Sequence, residues 1–142
     1  MGSFYMNEAM FDLPDAGFVD QTVTCLTGTS PNGEGVLLLV ERRPLPVDMS
    51  LRQAVAALVK DLMTRHIGYQ VLFEREVEVA SRPALDVGAR WRTEGGAPIY
   101  DRRVHLTLGE TWLSVIGEAP IAEREFCEAY VDHILASLQM RE

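Results

Sequence analysis

Cysteine is scarce in this chain. Cys25 and Cys127 stand far apart without metal-ligand spacing, which excludes a disulfide framework, and each falls in an apolar pattern that suits a buried thiol. Positive charge is also in deficit. Thirteen Lys and Arg against 21 Asp and Glu leave a formal net charge of −8, and an acidic surface repels phosphate backbones, which argues against nucleic acid and anionic membranes as partners. Long hydrophobic runs are missing: the longest falls far short of the roughly 18 residues that suggest a membrane span. Met1 to Tyr5 lack a basic stretch followed by an apolar run, so no signal peptide is expected and the default is a soluble, cytoplasmic protein.

Catalytic motifs are absent as well. His66, His105 and His133 are scattered, with no HExxH spacing, and read as surface or packing histidines. No GK[ST] is present, and neither GTSPNGEG nor TEGGAP carries the dinucleotide fingerprint, so no cofactor, no metal and no enzymatic activity are expected. Arg90, Arg92, Arg102 and Arg103 do not make a nucleic-acid platform with Trp91, because alternation puts Trp91 on the other face of its strand from Arg90 and Arg92.

What is present is an ordinary globular composition. At 142 residues, 47% hydrophobic and 24% charged, the chain suits one domain over residues 1–142 with a single substantial core. Alternation over residues 4 to 13, closed by Pro14, Asp15 and Gly17, predicts a first strand. Residues 20 to 27 predict a second, with Val23 and Cys25 on one face and Thr22, Thr24 and Leu26 on the other. GVLLLVERRP, residues 35 to 44, predicts a third.

Ser50 and Gln53 fit a capping box opening a helix whose stripe is Leu51, Val55, Leu58 and Leu62 and which ends near His66 to Gly68. From Tyr69 the period returns to two, with Tyr69, Val71, Phe73, Val77 and Val79 on one face and Gln70, Glu74, Glu76 and Glu78 on the other. The glutamates are expected to face Arg90 and Arg92 across the next strand, in which Leu85, Val87, Ala89 and Trp91 share a side. Residues 99 to 108 and 111 to 117 are two more strands. A last helix carries the stripe Cys127, Val131, Ile134 and Leu138.

Three strands, a helix, about four strands and a helix describe an α+β fold: an antiparallel sheet of about six or seven strands with two flanking helices. Val36 to Val40 are apolar without alternation, so this strand offers apolar side chains to both faces. Two such helices can blanket one face but not both, and the apolar side chains of the first strands need another cover: a second polypeptide, a loop, or the chain's own terminus. Val23, Cys25, Leu37 and Leu39 are expected to include the exposed set, which would mark a protein interface.

The succession YMNEAMFDLPD, DQTV, VERRP, the SL helix start, GYQVLFERE, RPAL and ARWR resembles the DcrB-like family, and within it the Eag chaperones, the effector-associated proteins of bacterial type VI secretion. The resemblance extends from about Tyr5 to Leu138. It implies a curved antiparallel sheet flanked by helices, as in the PsbP and Mog1 proteins. It also implies a homodimer without enzymatic activity, whose concave apolar surface cradles the N-terminal transmembrane segments of a PAAR-containing, Rhs-type effector. The matching client-facing positions are Val23 and Cys25 in the second strand and Leu39, with Leu37, in the third. Flexible Met6 and Met10 suit a surface that repacks around different clients, and equally suit gap filling in a core. The alternative within the same family is an envelope-associated structural protein without an effector client.

Overall fold

The computed structural model describes residues 2–5, 10–13 and 22–139. Its strands are β1 (Gly2–Tyr5), β2 (Met10–Leu13), β3 (Thr22–Thr29), β4 (Gly35–Pro44), β5 (Ile67–Val79), β6 (Arg82–Arg92), β7 (Pro98–Leu108) and β8 (Thr111–Pro120). Helix α1 (Leu51–Arg65) follows β4, and α2 (Arg124–Ser137) follows β8 after a single 3-10 turn. β3 to β8 form one antiparallel sheet in the order β3-β4-β8-β7-β6-β5. The α+β architecture and the six-stranded sheet agree with the sequence expectation.

The first strand does not. β1 and β2 pair with each other as a separate hairpin, Tyr5 opposite Met10, so the chain reverses within the stretch whose alternation suggested one strand. A period of two is the same on both arms of a hairpin, and alternation alone therefore hides the reversal.

α1 begins as its sequence predicts. Ser50 Oγ accepts from the Gln53 backbone N–H at 3.1 Å, and Gln53 Oε1 accepts from the Ser50 N–H at 2.9 Å. Its buried Ala54 and Val55 pack with Leu85, Val87 and Trp112, whereas Cys127 and Val131 of α2 pack with Ala84, Val104 and Leu106. Ala84 and Leu85 are consecutive in β6 and point to opposite sides. The helices therefore lie on opposite faces, one each, which corrects the expectation that both blanket the same face. Helix lengths constrain how much is covered, but the side taken depends on how each connection crosses the sheet.

α2 lies close to the sheet because Gly117 has no side chain. A Cβ there would stand 2.5 Å from Val131 Cγ2 and 2.8 Å from Cys127 Sγ. Buried Arg102 then ties sheet to helix, donating to Asp86 Oδ1 and Oδ2 at 3.0 Å each and to Asp132 Oδ1 at 2.6 Å. Such charge-assisted bonds suit a guanidinium, whose planar fork matches a carboxylate.

β5 also departs from simple alternation. Register shifts fall between Ile67 and Gln70 and between Val71 and Phe73. Each inserts an extra residue and turns the following side chains over. Val71 thus packs with the α1 cluster while Phe73 and Val77 pack with the α2 cluster. Phe73 lies over Gly88, where a Cβ would collide with its ring. The glutamates consequently stand opposite Val87, Leu85 and Pro83 rather than Arg90 and Arg92. Glu76 instead pairs with Arg52 of α1.

Candidate functional site

The cross-strand registers define rows across the α1 face. One runs Cys25, Leu39, Ile116, Arg103, Val87; the next runs Thr27, Leu37, Glu118, Asp101, Ala89; a third runs Val23, Glu41, Ser114, His105, Leu85. Val23, Cys25, Leu37 and Leu39 therefore share the α1 face, at the end of the sheet away from β5. Val23 is 61% exposed, Cys25 is exposed, and Leu37 and Leu39 are half-buried. The buried-thiol reading holds for Cys127 and fails for Cys25. An edge strand has neighbours on one side only, so apolar alternation there does not imply burial. Among the described residues, α1 packs against Leu85, Val87, Trp112 and Val71, and neither Leu37 nor Leu39 belongs to that cluster. Met6 lies outside the described residues. Met10 belongs by its backbone to β2 in the separate hairpin, and its side chain lies outside what the structure describes.

Between this strip and α1 runs a polar seam that the sequence reading missed. Asp101 is fully buried; its Oδ2 accepts from Trp91 Nε1 at 3.3 Å and from Arg103 Nε at 3.4 Å, while Oδ1 has no hydrogen-bond partner. Burial pushes the Asp101 carboxyl above its ordinary value, with Arg103 opposing. Burial, with help from Asp101, pushes its cross-strand neighbour Glu118 up as well. His66 at the end of α1 stacks on Trp91 with ring centroids 4.3 Å apart. A second group joins Trp112, which donates to His105 Nδ1 at 3.1 Å, to the Arg43 guanidinium lying 3.9 Å over its ring. The signal of this seam in the sequence is a row of polar residues, Asp101, Arg103, His105 and Thr107, at every second place in β7.

These polar groups are mostly engaged with one another, and the seam ends at Glu118, beside Leu37. The face thus offers an apolar strip about two strands wide, with hydroxyls at Thr27 and carboxylates at Glu41 and Glu118 along its margins. Such a surface suits apolar contact with a few polar anchors. Among the described residues, no three His, Cys, Asp or Glu side chains come together to hold a metal ion, and no helix is long and apolar enough to cross a membrane.

The opposite face carries a groove of about 270 Å³ between the β3–β4 edge and α2, lined by Leu26, Gly28, Val36 and Leu38 from the sheet and by Phe126 and Tyr130 from the helix. Tyr130 Oη donates to the Leu37 carbonyl at 2.8 Å, closing the groove's inner wall.

An open antiparallel sheet with one helix on each face places this chain among the PsbP-like α+β domains. Cyanobacterial PsbP (CyanoP) of Synechocystis sp. PCC 6803 superposes with a TM-score of 0.54 at 13% identity, covering 90% of this chain and 83% of that one. LpqN of Mycobacterium tuberculosis, a protein involved in cell envelope biogenesis, gives 0.58 at 12% identity, covering 89% and 80%. PA94 of Pseudomonas aeruginosa, of unknown function and described as a candidate regulator, gives 0.84 at 16% identity over 99% and 97%. The chain belongs to the DcrB family, whose sequence pattern matches residues 8–137. No curated protein matches the sequence.

Proposed function

We propose that this DcrB-family chain is a chaperone of the Eag type, which binds without catalysis. It shields the N-terminal transmembrane helices of a PAAR-containing type VI effector in the cytoplasm before secretion, and it works as a homodimer. The observation that carries the reading is the strip of Val23, Cys25, Leu37 and Leu39 on one face of the sheet, with Val23 61% exposed. A transmembrane helix holds about 20 apolar residues that drive aggregation in water. An apolar strip with polar margins removes that surface from water by the helix-in-groove mode. Thr27 and Glu118 beside the strip supply partners for polar atoms on helices that carry small residues.

The test is co-expression with the N-terminal fragment of a PAAR-containing effector encoded beside this gene. The fragment is expected to become soluble and to co-purify, and Val23→Asp is expected to release it while leaving the chaperone folded. A fragment equally insoluble with and without the chaperone refutes the reading, as does retention unchanged by Val23→Asp together with Leu39→Asp.

A further inference from the structure

We propose that Arg43 is a binding site for a carboxylate, and that an acidic side chain flanking the apolar run of the bound polypeptide fills it, held by both N–H groups on the Nε/Nη2 edge of the guanidinium. That the polypeptide supplies the carboxylate rests on the function proposed above; the carboxylate site itself rests on Arg43.

β4 leaves the apolar strip through Leu39, Glu41 and Arg43, which alternation puts on one face. Arg43 stands opposite Trp112 of β8, and its Cζ lies 3.9 Å over the Trp112 ring. That ring is buried and held by its bond to His105. A cation is attracted to an aromatic face, but the ring offers no oxygen to the guanidinium N–H groups. Nε and Nη2 are both buried, and among the described residues neither has a hydrogen-bond partner. Buried donors without partners are destabilising, the more so on a charged group.

Arg102 shows what this edge takes. Its Nε donates to Asp86 Oδ1 and its Nη2 to Asp86 Oδ2, at 3.0 Å each, so one carboxylate spans the two N–H groups. On Arg43 the same pair is unpartnered. Glu41 brings a single oxygen to 3.6 Å from Nη2, beyond hydrogen-bond length, and leaves Nε without an acceptor.

The surroundings favour an anion. Burial disfavours the charge on Arg43, and Arg103 and Arg65 add to that effect while Glu41 opposes it. An incoming carboxylate offsets the two arginines. The site is also within reach of a ligand, because the Arg43 side chain is 29% exposed. Leu37 to Arg43 spans about 20 Å of strand, so Arg43 lies past the apolar positions, where a helix of about 20 residues and 30 Å still continues. Carboxylates are rare inside the apolar run of such a helix. The one that reaches Arg43 therefore comes from a residue flanking that run.

The full chain, without client, is titrated with sodium acetate while NMR follows the Arg43 Nε–Hε signal, identified by its loss in Arg43→Lys. The signal is expected to move downfield and saturate, and sodium chloride at equal ionic strength is expected to leave it in place. Glu41→Gln, which removes the competing oxygen, should tighten acetate binding. A signal indifferent to acetate overturns the inference, as does one that answers phosphate and not acetate. So does one that shifts on Glu41→Gln alone, because Glu41 would then fill the edge itself. Arg43→Lys keeps the charge without the fork, and is expected to weaken binding of the effector's N-terminal fragment about 10-fold to 100-fold, the range of a hydrogen bond to a charged group. Changing the fragment's acidic side chains to amides one at a time should reproduce that loss at one position, where Arg43→Lys then adds nothing further. Fragment binding unchanged by Arg43→Lys overturns the polypeptide as the source. If acetate fills the site and the fragment does not bind at all, the chaperone reading fails alone.

Discussion

Acidification should weaken this fold through His105. The ring is 1% exposed, and its Nδ1 lies 3.1 Å from Trp112 Nε1 and 2.7 Å from Ser114 Oγ. An indole N–H only donates, so Nδ1 is the acceptor and the proton of the neutral ring sits on Nε2. Burial, reinforced by Arg103 and Arg43, pushes the pKa of His105 down to about 3. In the unfolded chain the same ring titrates near 6.5. Between these values the unfolded state takes up a proton that the native state refuses, and stability falls as pH falls. The slope is about 1.4 kcal/mol per pH unit, so pH 4.5 removes about 2.7 kcal/mol relative to pH 7.5, where the group contributes nothing.

Asp101 and Glu118, whose pKa values are raised, act with the opposite sign, because the native state binds their protons more readily. The His105 contribution is therefore read as a difference. Urea unfolding of the wild type and of His105→Gln at pH 7.5 and 4.5 is the assay. The variant keeps an acceptor for Trp112 but cannot titrate. It is expected to start lower and to lose about 2–3 kcal/mol less on acidification. Parallel pH dependences in the two proteins would refute the reasoning.

Two further predictions concern the contact of α2 with the sheet. Gly117→Val places methyl groups where Val131 and Cys127 already stand, and is expected to cost about 1–3 kcal/mol or more in urea or thermal unfolding; a smaller loss would mean that the helix shifts freely. Asp86→Ala leaves Arg102 buried without its bidentate partner and is expected to cost about 3–5 kcal/mol. Asp132→Ala, which removes a carboxylate whose side chain is 66% exposed, should cost much less, and equal losses would contradict the assigned roles.

Local chemistry was legible in the sequence. The capping box at Ser50, the turns at Thr93 to Ala97 and at Gly109, and the faces of β6 all depend on residues within a few places of one another, and the structure has them. That Val23 and Cys25 share a side, and that Leu37 and Leu39 do, follows from strand parity. The common face of the two pairs depends on the β3–β4 register that sets Cys25 opposite Leu39, which parity alone does not fix. Long-range choices were not legible. Which face each helix takes depends on how it leaves its strand, and the amphipathic stripe is the same for both answers. The β5 bulges turn Phe73 away from Val71, and no residue type near Leu72 announces them. The polar seam was hidden because Asp101, Arg103 and His105 read as a wet face, whereas Asp101 and His105 are buried and Arg103 is nearly so.

The distribution of burial explains how a client strip can coexist with a stable domain. The centre of the sheet is sealed on both faces: Val104, Ile116 and Leu106 are each 0% exposed, with Arg102 and the Gly117 contact fixing α2 above Val104 and Leu106. Toward β3 the packing thins, through a half-buried β4 to an edge strand with every residue exposed. Surface substitutions away from caps, networks and strained sites change stability by no more than about 0.5 kcal/mol. Val23, at 61% exposed, can therefore vary with the apolar sequence it meets while the fold is held elsewhere. Leu39 is tied more closely to the core through its pairing with Ile116. Polar substitution should consequently separate the two roles on one face: at Val23 it removes binding and leaves the unfolding midpoint in place, whereas at Leu39 it lowers both.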